Sequence, residues 1–131
     1  MILLDTHVLV WMTTDPARLS RAAEREIRKA RGTGGCAISS FSLWELALLF
    51  EKGRLRGSGS IETCIRQITE DAAVQILEIT PDVAALATMF PDTYPKDPGD
   101  RLIGATARSL GLTLITGDER ILASPLIRTV W

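Results

Sequence analysis

The sequence predicts an α/β fold in which a mostly parallel β-sheet lies between layers of helices. Three observations lead to this expectation. Short apolar segments that are typical of strands alternate with longer segments of helical character. The segment at 112–116 is rich in β-branched residues, which favour strands. Glycine and proline residues mark the ends of most segments. Strands and helices that alternate in this way form a three-layer sandwich around a parallel sheet.

Each predicted element has a local signal. The first strand is a short apolar run that ends at a carboxylate, Asp5, and Gly34 and Gly35 separate the second strand from the preceding helix. Gly111 ends the helix before the fourth strand. The predicted strands are 2–4, 36–38, 76–79, 112–116 and 127–131.

The helices begin at residues that commonly cap or open helices. Ser20 is a candidate N-cap for a helix that ends before Gly32, and Pro81 is suited to a first helical turn. A proline-rich loop at 91–98 precedes a further helix. The predicted helices are 7–12, 21–31, one from within 39–42 to 53, 61–71, 82–90, 99–110 and 119–122.

Length and composition limit the class of protein. A chain of 131 residues with 46% hydrophobic content suits one domain that spans 1–131. No apolar run approaches the roughly 20 residues that cross a bilayer, and the N-terminus lacks the features of a signal peptide. Cys36 and Cys64 have neither metal-ligand spacing nor the density of a disulfide framework. We therefore expect a cytoplasmic protein that makes no use of a membrane.

Four acidic residues are predicted to meet at one edge of the sheet. Asp5 directly follows the first strand, and Asp118 follows the fourth strand after one glycine. Glu45 lies early in the helix after the second strand. Asp100 begins the helix that leads into the fourth strand, and a crossover helix starts at the edge where its strand ends. Functional groups of open parallel sheets gather outside these carboxyl ends, so the four acids are expected to converge.

Adjacent carboxylates repel one another, and each raises the pKa of its neighbours. Hard divalent cations resolve this conflict because Mg²⁺ and Mn²⁺ prefer oxygen ligands, usually a few carboxylates together with water and substrate phosphate. A cation held in this way activates water and stabilises charge on a phosphate. The cluster therefore points to hydrolysis of phosphoesters. The formal net charge of −1 means that a polyanion is bound through local basic patches or metal ions.

Structural roles compete with this interpretation. Ser42 and Glu45 have the spacing of a capping box, as do Thr116 and Glu119, which would make Asp118 an incidental turn residue. Asp97, Pro98 and Asp100 resemble an N-cap, a proline at the first helical position and an acid favoured by the helix dipole. Asp5 has no comparable explanation unless it caps the next helical turn. The joint convergence of the acids favours an active site.

Four ordered segments resemble PIN-domain ribonucleases, particularly the VapC-type toxins of toxin–antitoxin pairs. They keep the family's order and spacing, and the resemblance extends from Ile2 to Trp131. The segments are ILLDTHVLVW from Ile2, ISSFSLWELA from Ile38, DPGDRLIGATA from Asp97 and LITGD from Leu114. The resemblance implies a PIN-like three-layer fold with Mg²⁺ or Mn²⁺ at the acidic cluster, and metal-assisted hydrolysis of RNA.

The resemblance also implies roles for individual residues. Asp5, Glu45 and Asp100 match the family's three principal acids, and Asp118 matches a more variable fourth; all four are expected to be catalytic and to bind metal. The supporting residues that it implies are Thr6, Asp97, Arg101 and Thr116. Both threonines are expected to bond carboxylates or water. Arg101 is expected to bond an acid or a substrate phosphate, with a salt bridge on the helix surface as the alternative.

Partners follow from the same resemblance. VapC-type proteins usually form homodimers and are inhibited by a small antitoxin that occupies the acidic groove. The helix with Trp44, Leu48, Leu49 and Phe50 is either an apolar surface for such contacts or simply core. The alternatives are a PIN-like nuclease that is not a toxin, a catalytically silent interaction module, and a phosphatase with Asp5 as nucleophile.

The sequence departs from the subgroup in the loop that leads to the site. An aromatic residue is common where this chain has Gly99, and a histidine-containing stretch is common where it has Tyr94 and Lys96. These changes concern substrate preference more than metal binding. His7 is the only histidine, so a catalytic pair of histidines is impossible, and we expect it to pack or to present a polar tip.

Overall fold

The computed structural model describes all 131 residues, and a five-stranded parallel sheet forms its centre. The strands are β1 (Ile2–Leu4), β2 (Cys36–Ser39), β3 (Val74–Leu77), β4 (Thr113–Ile115) and β5 (Thr129–Val130). Their order across the sheet is β3-β2-β1-β4-β5, and every neighbouring pair is parallel. The chain thus starts in the middle of the sheet, builds one half, and returns to build the other.

Seven α-helices cover the two faces of the sheet, and a short 3₁₀ turn (Pro16–Arg18) joins the first two. The helices are α1 (Thr6–Thr14), α2 (Arg21–Arg31), α3 (Ser40–Glu51), α4 (Ile61–Asp71), α5 (Pro81–Ala87), α6 (Pro98–Leu110) and α7 (Glu119–Leu122). This arrangement confirms the predicted three-layer α/β fold. None of the helices combines the length and the apolar character needed to cross a membrane.

The alternation of side chains along the strands explains the two layers of helices. Ile2 and Leu4 point to one face of the sheet, whereas Leu3 points to the other, because successive strand residues face opposite sides. The first face carries a core shared with α1 to α4, and the second carries one shared with α5, α6 and α7. Both faces of β1 are therefore buried, as expected for a central parallel strand.

Local signals set most helix ends. Ser20 caps α2 as predicted, since its side chain accepts a hydrogen bond from the backbone N–H of Ala23 at 3.0 Å. Gly111 ends α6 with φ of 65°, a left-handed conformation that glycine adopts without strain. These caps satisfy backbone groups that the helices themselves leave unpaired.

Some predicted boundaries were wrong. The third strand occupies Val74–Leu77, two residues earlier than predicted, because Ala73 adopts φ of 52° and turns the chain directly after α4. Helix α5 ends at Ala87, three residues earlier than predicted. The first helix is longer than expected and begins at Thr6, immediately after Asp5.

Candidate active site: an acidic groove at the edge of the sheet

The candidate site lies where the direction of strand order changes, between β1 and β4. From β1 the chain moves outward to β2 and β3, and later to β4 and β5 on the other side. The loops after the two central strands therefore diverge and leave a crevice at their carboxyl ends. Asp5 follows β1 at this point, and Thr116 follows β4.

Asp5 is held rigidly at the base of this crevice. Only 5% of the residue is exposed. Its Oδ1 atom accepts a hydrogen bond from the backbone N–H of Thr6 at 2.8 Å, which makes Asp5 the N-cap of α1. Its Oδ2 atom accepts one from the Thr116 hydroxyl at 2.8 Å. The Thr116 hydroxyl in turn accepts a hydrogen bond from the backbone N–H of Asp118 at 3.1 Å, so one threonine links both central loops.

Glu45 is connected to the same region through two hydroxyl groups. The Thr6 hydroxyl donates to Glu45 Oε1 at 2.6 Å and lies 2.8 Å from the Ser42 hydroxyl. Since a hydroxyl has one proton and Thr6 gives it to the carboxylate, Ser42 must be the donor in the second bond. The two successive hydrogen bonds, from Ser42 to Thr6 and from Thr6 to Glu45, therefore fix the orientation of the Glu45 carboxylate.

This arrangement excludes the capping-box interpretation of Glu45. Helix α3 is capped by Ser39, whose side chain accepts a hydrogen bond from the backbone N–H of Phe41 at 3.1 Å. Ser42 lies inside the helix and is buried. Glu45 is consequently free of any role at the helix end.

Asp100 enters the site from the first turn of α6. Asp97 is the N-cap of this helix and accepts a hydrogen bond from the backbone N–H of Asp100 at 3.2 Å, with Pro98 in the first turn. The capping role predicted for Asp97 is thus confirmed. Asp97 also lines the groove, as does Asp100.

Close packing requires a glycine at position 99. A Cβ atom at this position would lie 2.9 Å from Phe41 Cε1 and 3.1 Å from Glu45 Oε2. A larger side chain would displace the ring or the carboxylate. The bare backbone at Gly99 therefore brings α6 close to Glu45.

Asp118 completes the rim as the N-cap of α7. Its Oδ1 atom accepts a hydrogen bond from the backbone N–H of Arg120 at 2.9 Å. The Arg120 guanidinium lies 3.3 Å from Asp118 Oδ2 and 3.9 Å from Asp100 Oδ2. Sequence reasoning overlooked Arg120, although a cation two residues after an acid on a short helix was a visible signal.

The carboxyl groups perturb one another. Burial, followed by the charges of Asp5, Asp97 and Asp118, raises the pKa of Asp100 to about 7 against the partial compensation of Arg120. Burial also raises the pKa of Glu45, and the charges of Asp5 and Asp97 add to this effect while the Thr6 hydrogen bond opposes it. A cation placed among these groups would stabilise their charged forms.

Asp118 shows the opposite behaviour. Burial would raise its pKa, but the hydrogen bond and charge of the Arg120 side chain, together with backbone N–H groups, hold the pKa below its usual value. Asp118 is thus still ionised at a pH where Asp100 takes up a proton.

Arg101 bonds no acid and forms no salt bridge on the helix surface, so these two predictions were wrong, whereas its predicted contact with a substrate phosphate stays a prediction. Its guanidinium donates hydrogen bonds to the carbonyl oxygens of Pro95 at 3.0 Å, Phe90 at 3.2 Å and Pro91 at 3.4 Å. It therefore fixes the loop between α5 and α6 instead of bonding an acid. Sequence spacing does not indicate where such a long side chain will point.

Tyr94, which the sequence analysis named only as a difference from the subgroup's loop, supports the backbone of Asp100. It is 1% exposed, and its hydroxyl donates a hydrogen bond to the backbone carbonyl of Asp100 at 2.8 Å. The ring stacks on Phe90 with centroids 4.1 Å apart. Tyr94 thereby ties the first turn of α6 to the second core.

His7 combines packing with a polar contact, as expected. Its ring packs against Trp11 at 4.8 Å between centroids. Its Nε2 atom accepts a hydrogen bond from the backbone N–H of Gly117 at 2.9 Å, and its Nδ1 atom lies 3.7 Å from Asp5 Oδ2. His7 thus holds the loop between Thr116 and Asp118 against the start of α1.

All four predicted acids, together with Thr6 and Asp97, line a single groove of about 550 Å³. The remaining lining residues are His7, Phe41, Trp44, Leu48, Leu49, Lys52, Arg54, Pro98 and Gly99. No three Asp, Glu, His or Cys side chains are placed to hold a metal ion by themselves. The acidic donors are all carboxylate oxygens, and this chemistry fits Mg²⁺ or Mn²⁺, which keep water molecules and use substrate oxygens as further ligands.

The fold and the groove define an α/β protein with an oxygen-rich acidic site at the switch point of a parallel sheet. The sequence model of the PIN domain matches residues 2–124, and the chain belongs to the PIN-domain family. The resemblance seen in the sequence motifs is thereby confirmed.

A curated relative extends this result over nearly the whole chain. The protein is 39% identical over 132 residues to Ribonuclease VapC22 of Mycobacterium tuberculosis, in an alignment that covers 99% of this chain and 98% of that protein.

Two solved structures share the fold. One is DNA-bound VapBC from Salmonella typhimurium, which is 24% identical with a TM-score of 0.72 and covers 99% of this chain and 98% of its own. The other is VapBC2 from Rickettsia felis bound to a fragment of promoter DNA, which is 18% identical with a TM-score of 0.69 and covers 100% and 99%.

Proposed function

We propose that this protein is a Mg²⁺- or Mn²⁺-dependent endoribonuclease and the toxin of a type II toxin–antitoxin pair. The observation that carries the proposal is the meeting of Asp5, Glu45, Asp100 and Asp118 in one groove. The strong identity to a protein named Ribonuclease VapC22 over nearly its full length supports RNA as the substrate. We propose the cytoplasm as its location, where RNA is accessible.

Asp5, Glu45 and Asp100 are the residues proposed to hold the cation, with Asp118 as the fourth. A divalent cation bound there supplies Lewis-acid stabilisation of phosphate charge and lowers the pKa of water. Its positive charge would also oppose the burial and the mutual repulsion that raise the pKa values of Asp100 and Glu45. The acids can then share one groove in their charged forms.

The surrounding residues are proposed to position these acids. Thr116 and the backbone N–H of Thr6 hold the two oxygens of Asp5, and the Thr6 hydroxyl holds Glu45. Partners of this kind fix the orientation of ligand carboxylates and affect metal binding strongly. Asp97 acts through the cap that places Asp100.

We also propose that a small antitoxin protein and a second copy of the chain are partners. Two of the solved structures that share the fold are VapBC proteins. Trp44 is 58% exposed, and neither Leu48 nor Leu49 belongs to a core cluster, so the outer face of α3 is available for contacts. The interpretation as core was wrong for Trp44, whereas Leu48, Leu49 and Phe50 are half-buried.

The test compares Asp5→Asn with Asp82→Asn, a change of an exposed acid on α5 outside the groove. Purified proteins free of antitoxin are assayed for RNA cleavage with Mg²⁺ or Mn²⁺ and with a chelator. We expect cleavage by wild type and Asp82→Asn only, and loss of cleavage in the chelator. Mn²⁺ affinity, measured by calorimetry, is expected to fall in Asp5→Asn.

Undiminished cleavage by Asp5→Asn would remove Asp5 from the mechanism. If the antitoxin-free wild type neither binds Mn²⁺ nor cleaves RNA, the protein is a catalytically silent interaction module. A phosphoenzyme trapped at Asp5 would instead identify a phosphatase.

A further inference from the structure

The loop that leads to Asp118 is restrained by side chains from outside it. Its first and third residues are tied together, because the Thr116 hydroxyl accepts a hydrogen bond from the backbone N–H of Asp118 at 3.1 Å. The middle residue, Gly117, has no side chain, so its position depends on its neighbours. Two side chains contact it from elsewhere in the chain: His7 on α1, and Trp131, one residue after β5.

His7 holds Gly117 through a ring nitrogen that carries no proton. Its Nε2 atom accepts the backbone N–H of Gly117 at 2.9 Å, so in the neutral ring the proton lies on Nδ1. Nδ1 lies 3.7 Å from Asp5 Oδ2, where an N–H group is attracted to the carboxylate and a lone pair would be repelled. The contacts of both nitrogens therefore favour the same tautomer.

These contacts separate His7 from proton transfer, although the residue lines the groove. A general acid or base needs a ring nitrogen within hydrogen-bond reach of the substrate or of a water molecule. Nε2 is engaged by the N–H of Gly117, and Nδ1 faces the nearly buried Asp5. No ring nitrogen is left for a substrate, so the role that remains for His7 is to position the loop.

Trp131 encloses Gly117 from a second direction. A Cβ atom at position 117 would lie 3.2 Å from Cε2 and Cζ2 of the indole, so even a methyl group would crowd the ring. The indole packs against Trp11 with centroids 5.6 Å apart, and Trp11 packs against His7 at 4.8 Å. The Arg18 guanidinium lies over the Trp11 ring, 4.3 Å from its centroid. The three rings thus form one packed cluster around the loop.

We propose that His7, as the Nδ1–H tautomer, and Trp131 are positioning residues that hold Asp118 in place for the divalent cation. The side-chain hydrogen bonds of Asp118 run only to its own short helix, α7. A shift of Gly117 would therefore displace Asp118 relative to the other acids. The inference rests on the proposed cation site and assigns to it two residues beyond the acids and their hydroxyl partners.

The first experiment identifies the tautomer in the metal-free protein, expressed without a histidine tag. His7 is the only histidine, so its ring nitrogens are recognised in a ¹⁵N NMR spectrum without sequence-specific assignment. In mildly alkaline solution we expect a proton on Nδ1 and none on Nε2. A proton on Nε2 would overturn the inference, because that nitrogen could not accept the N–H of Gly117.

The second experiment separates the hydrogen bond of His7 from its packing. His7→Gln retains an acceptor at the position of Nε2 but loses the ring, whereas His7→Phe retains a ring and loses the acceptor. In the metal-free proteins, amide exchange of Gly117 is expected to rise roughly 2- to 10-fold in His7→Phe and to stay near wild type in His7→Gln.

The internal control is the amide of Leu114, which donates to the Arg128 carbonyl at 2.8 Å within the sheet. Its exchange should be the same in all three proteins. Equal acceleration of the Leu114 and Gly117 amides in His7→Phe would overturn the inference, because a general loss of stability would then explain the change.

The third experiment measures Mn²⁺ affinity by calorimetry. We expect roughly tenfold weaker binding in His7→Phe and Trp131→Ala, and nearly wild-type binding in His7→Gln. Trp131→Phe keeps an aromatic ring beside Gly117 and is expected to recover part of the loss. Wild-type affinity in both His7→Phe and Trp131→Ala would overturn the inference.

RNA cleavage distinguishes a positioning role from a chemical one. Excess Mn²⁺ is expected to restore cleavage by His7→Phe, because the defect lies in the placement of a ligand. Equal loss in His7→Gln and His7→Phe that excess Mn²⁺ does not relieve would assign His7 to the chemistry and overturn the inference. If the wild type cleaves no RNA, the ribonuclease function fails, while the tautomer, the amide exchange and the Mn²⁺ affinity still decide the inference.

Discussion

The two sides of the groove hold their acids in different ways. Asp5 is almost fully buried, and hydroxyl or backbone N–H groups hold both of its oxygens, while Glu45 rests on the Thr6 hydroxyl. On the other side, Asp100 and Asp118 retain 20% and 23% side-chain exposure and share the exposed cation Arg120. One side is built into the core and the other is built on helix ends.

This difference determines where substitutions should be most harmful. Loss of a hydroxyl or N–H donor to a nearly buried carboxylate is costly, because little solvent reaches the oxygen that is left unpaired. Removal of one member of an exposed ion pair changes the free energy of unfolding little, because water and salt already screen the charges. We therefore expect effects to decrease from the Asp5 side to the Arg120 side.

The largest effect is expected for Thr116→Val, which keeps the shape of the side chain but removes the hydroxyl. Asp5 Oδ2 and the backbone N–H of Asp118 both lose their partner. We expect a loss of about 1.5–3 kcal/mol in the free energy of unfolding and at least tenfold lower activity. Thr113→Val, at the start of the strand that Thr116 directly follows, is the control, and similar losses in both variants would contradict the comparison.

Thr6→Val should have the next largest effect. It removes the donor to Glu45 and the acceptor for Ser42, but the Ser42 hydroxyl can turn to a carbonyl of its own helix. We expect about 1–2 kcal/mol of destabilisation and roughly tenfold lower affinity for Mn²⁺, measured by denaturation and calorimetry. Thr106→Val tests whether any buried threonine would do the same, since its hydroxyl bonds only to its own helix, at Leu102.

Tyr94→Phe tests the support of α6. The hydroxyl bond to the Asp100 carbonyl is lost, while stacking on Phe90 remains. We expect destabilisation of about 0.5–1.5 kcal/mol and faster hydrogen exchange in the first turn of α6. If exchange of the Asp100 amide is unchanged, the tyrosine supports the core alone.

The smallest and most distinctive effect is expected for Arg120→Ala. The guanidinium lies near both Asp100 and Asp118 and competes with a divalent cation for them. Its removal should leave the melting temperature unchanged and make Mn²⁺ binding slightly tighter, most clearly at low salt. Weaker Mn²⁺ binding would show that Arg120 organises the acids, which would bring the two sides of the groove closer in character. Arg66→Ala is the matched control for loss of an exposed paired arginine.

Features that depend on a few neighbouring residues were predictable from the sequence. Asp97 caps α6 and Ser20 caps α2 because a capping side chain bonds backbone groups two or three residues away. The convergence of Asp5 and Asp118 on one edge followed from the direction of parallel strands alone. The shift of β3 could not be predicted in this way, because it depends on the left-handed conformation of Ala73, for which the sequence carries no glycine signal.

The sequence by itself determined the alternation of strands and helices, and with it the edge where the acids meet, since these depend on local patterns and on the handedness of the chain. Thr6 and Thr116 were expected to bond carboxylates, but only the tertiary structure decided that Thr6 bonds Glu45 and Thr116 bonds Asp5. Ser42 bonds Thr6 instead of capping a helix, and Arg101 binds loop carbonyls instead of an acid. The physical reason is that a long or rotatable polar side chain bonds whatever partner packing brings within about 3 Å, and that partner can be distant in sequence.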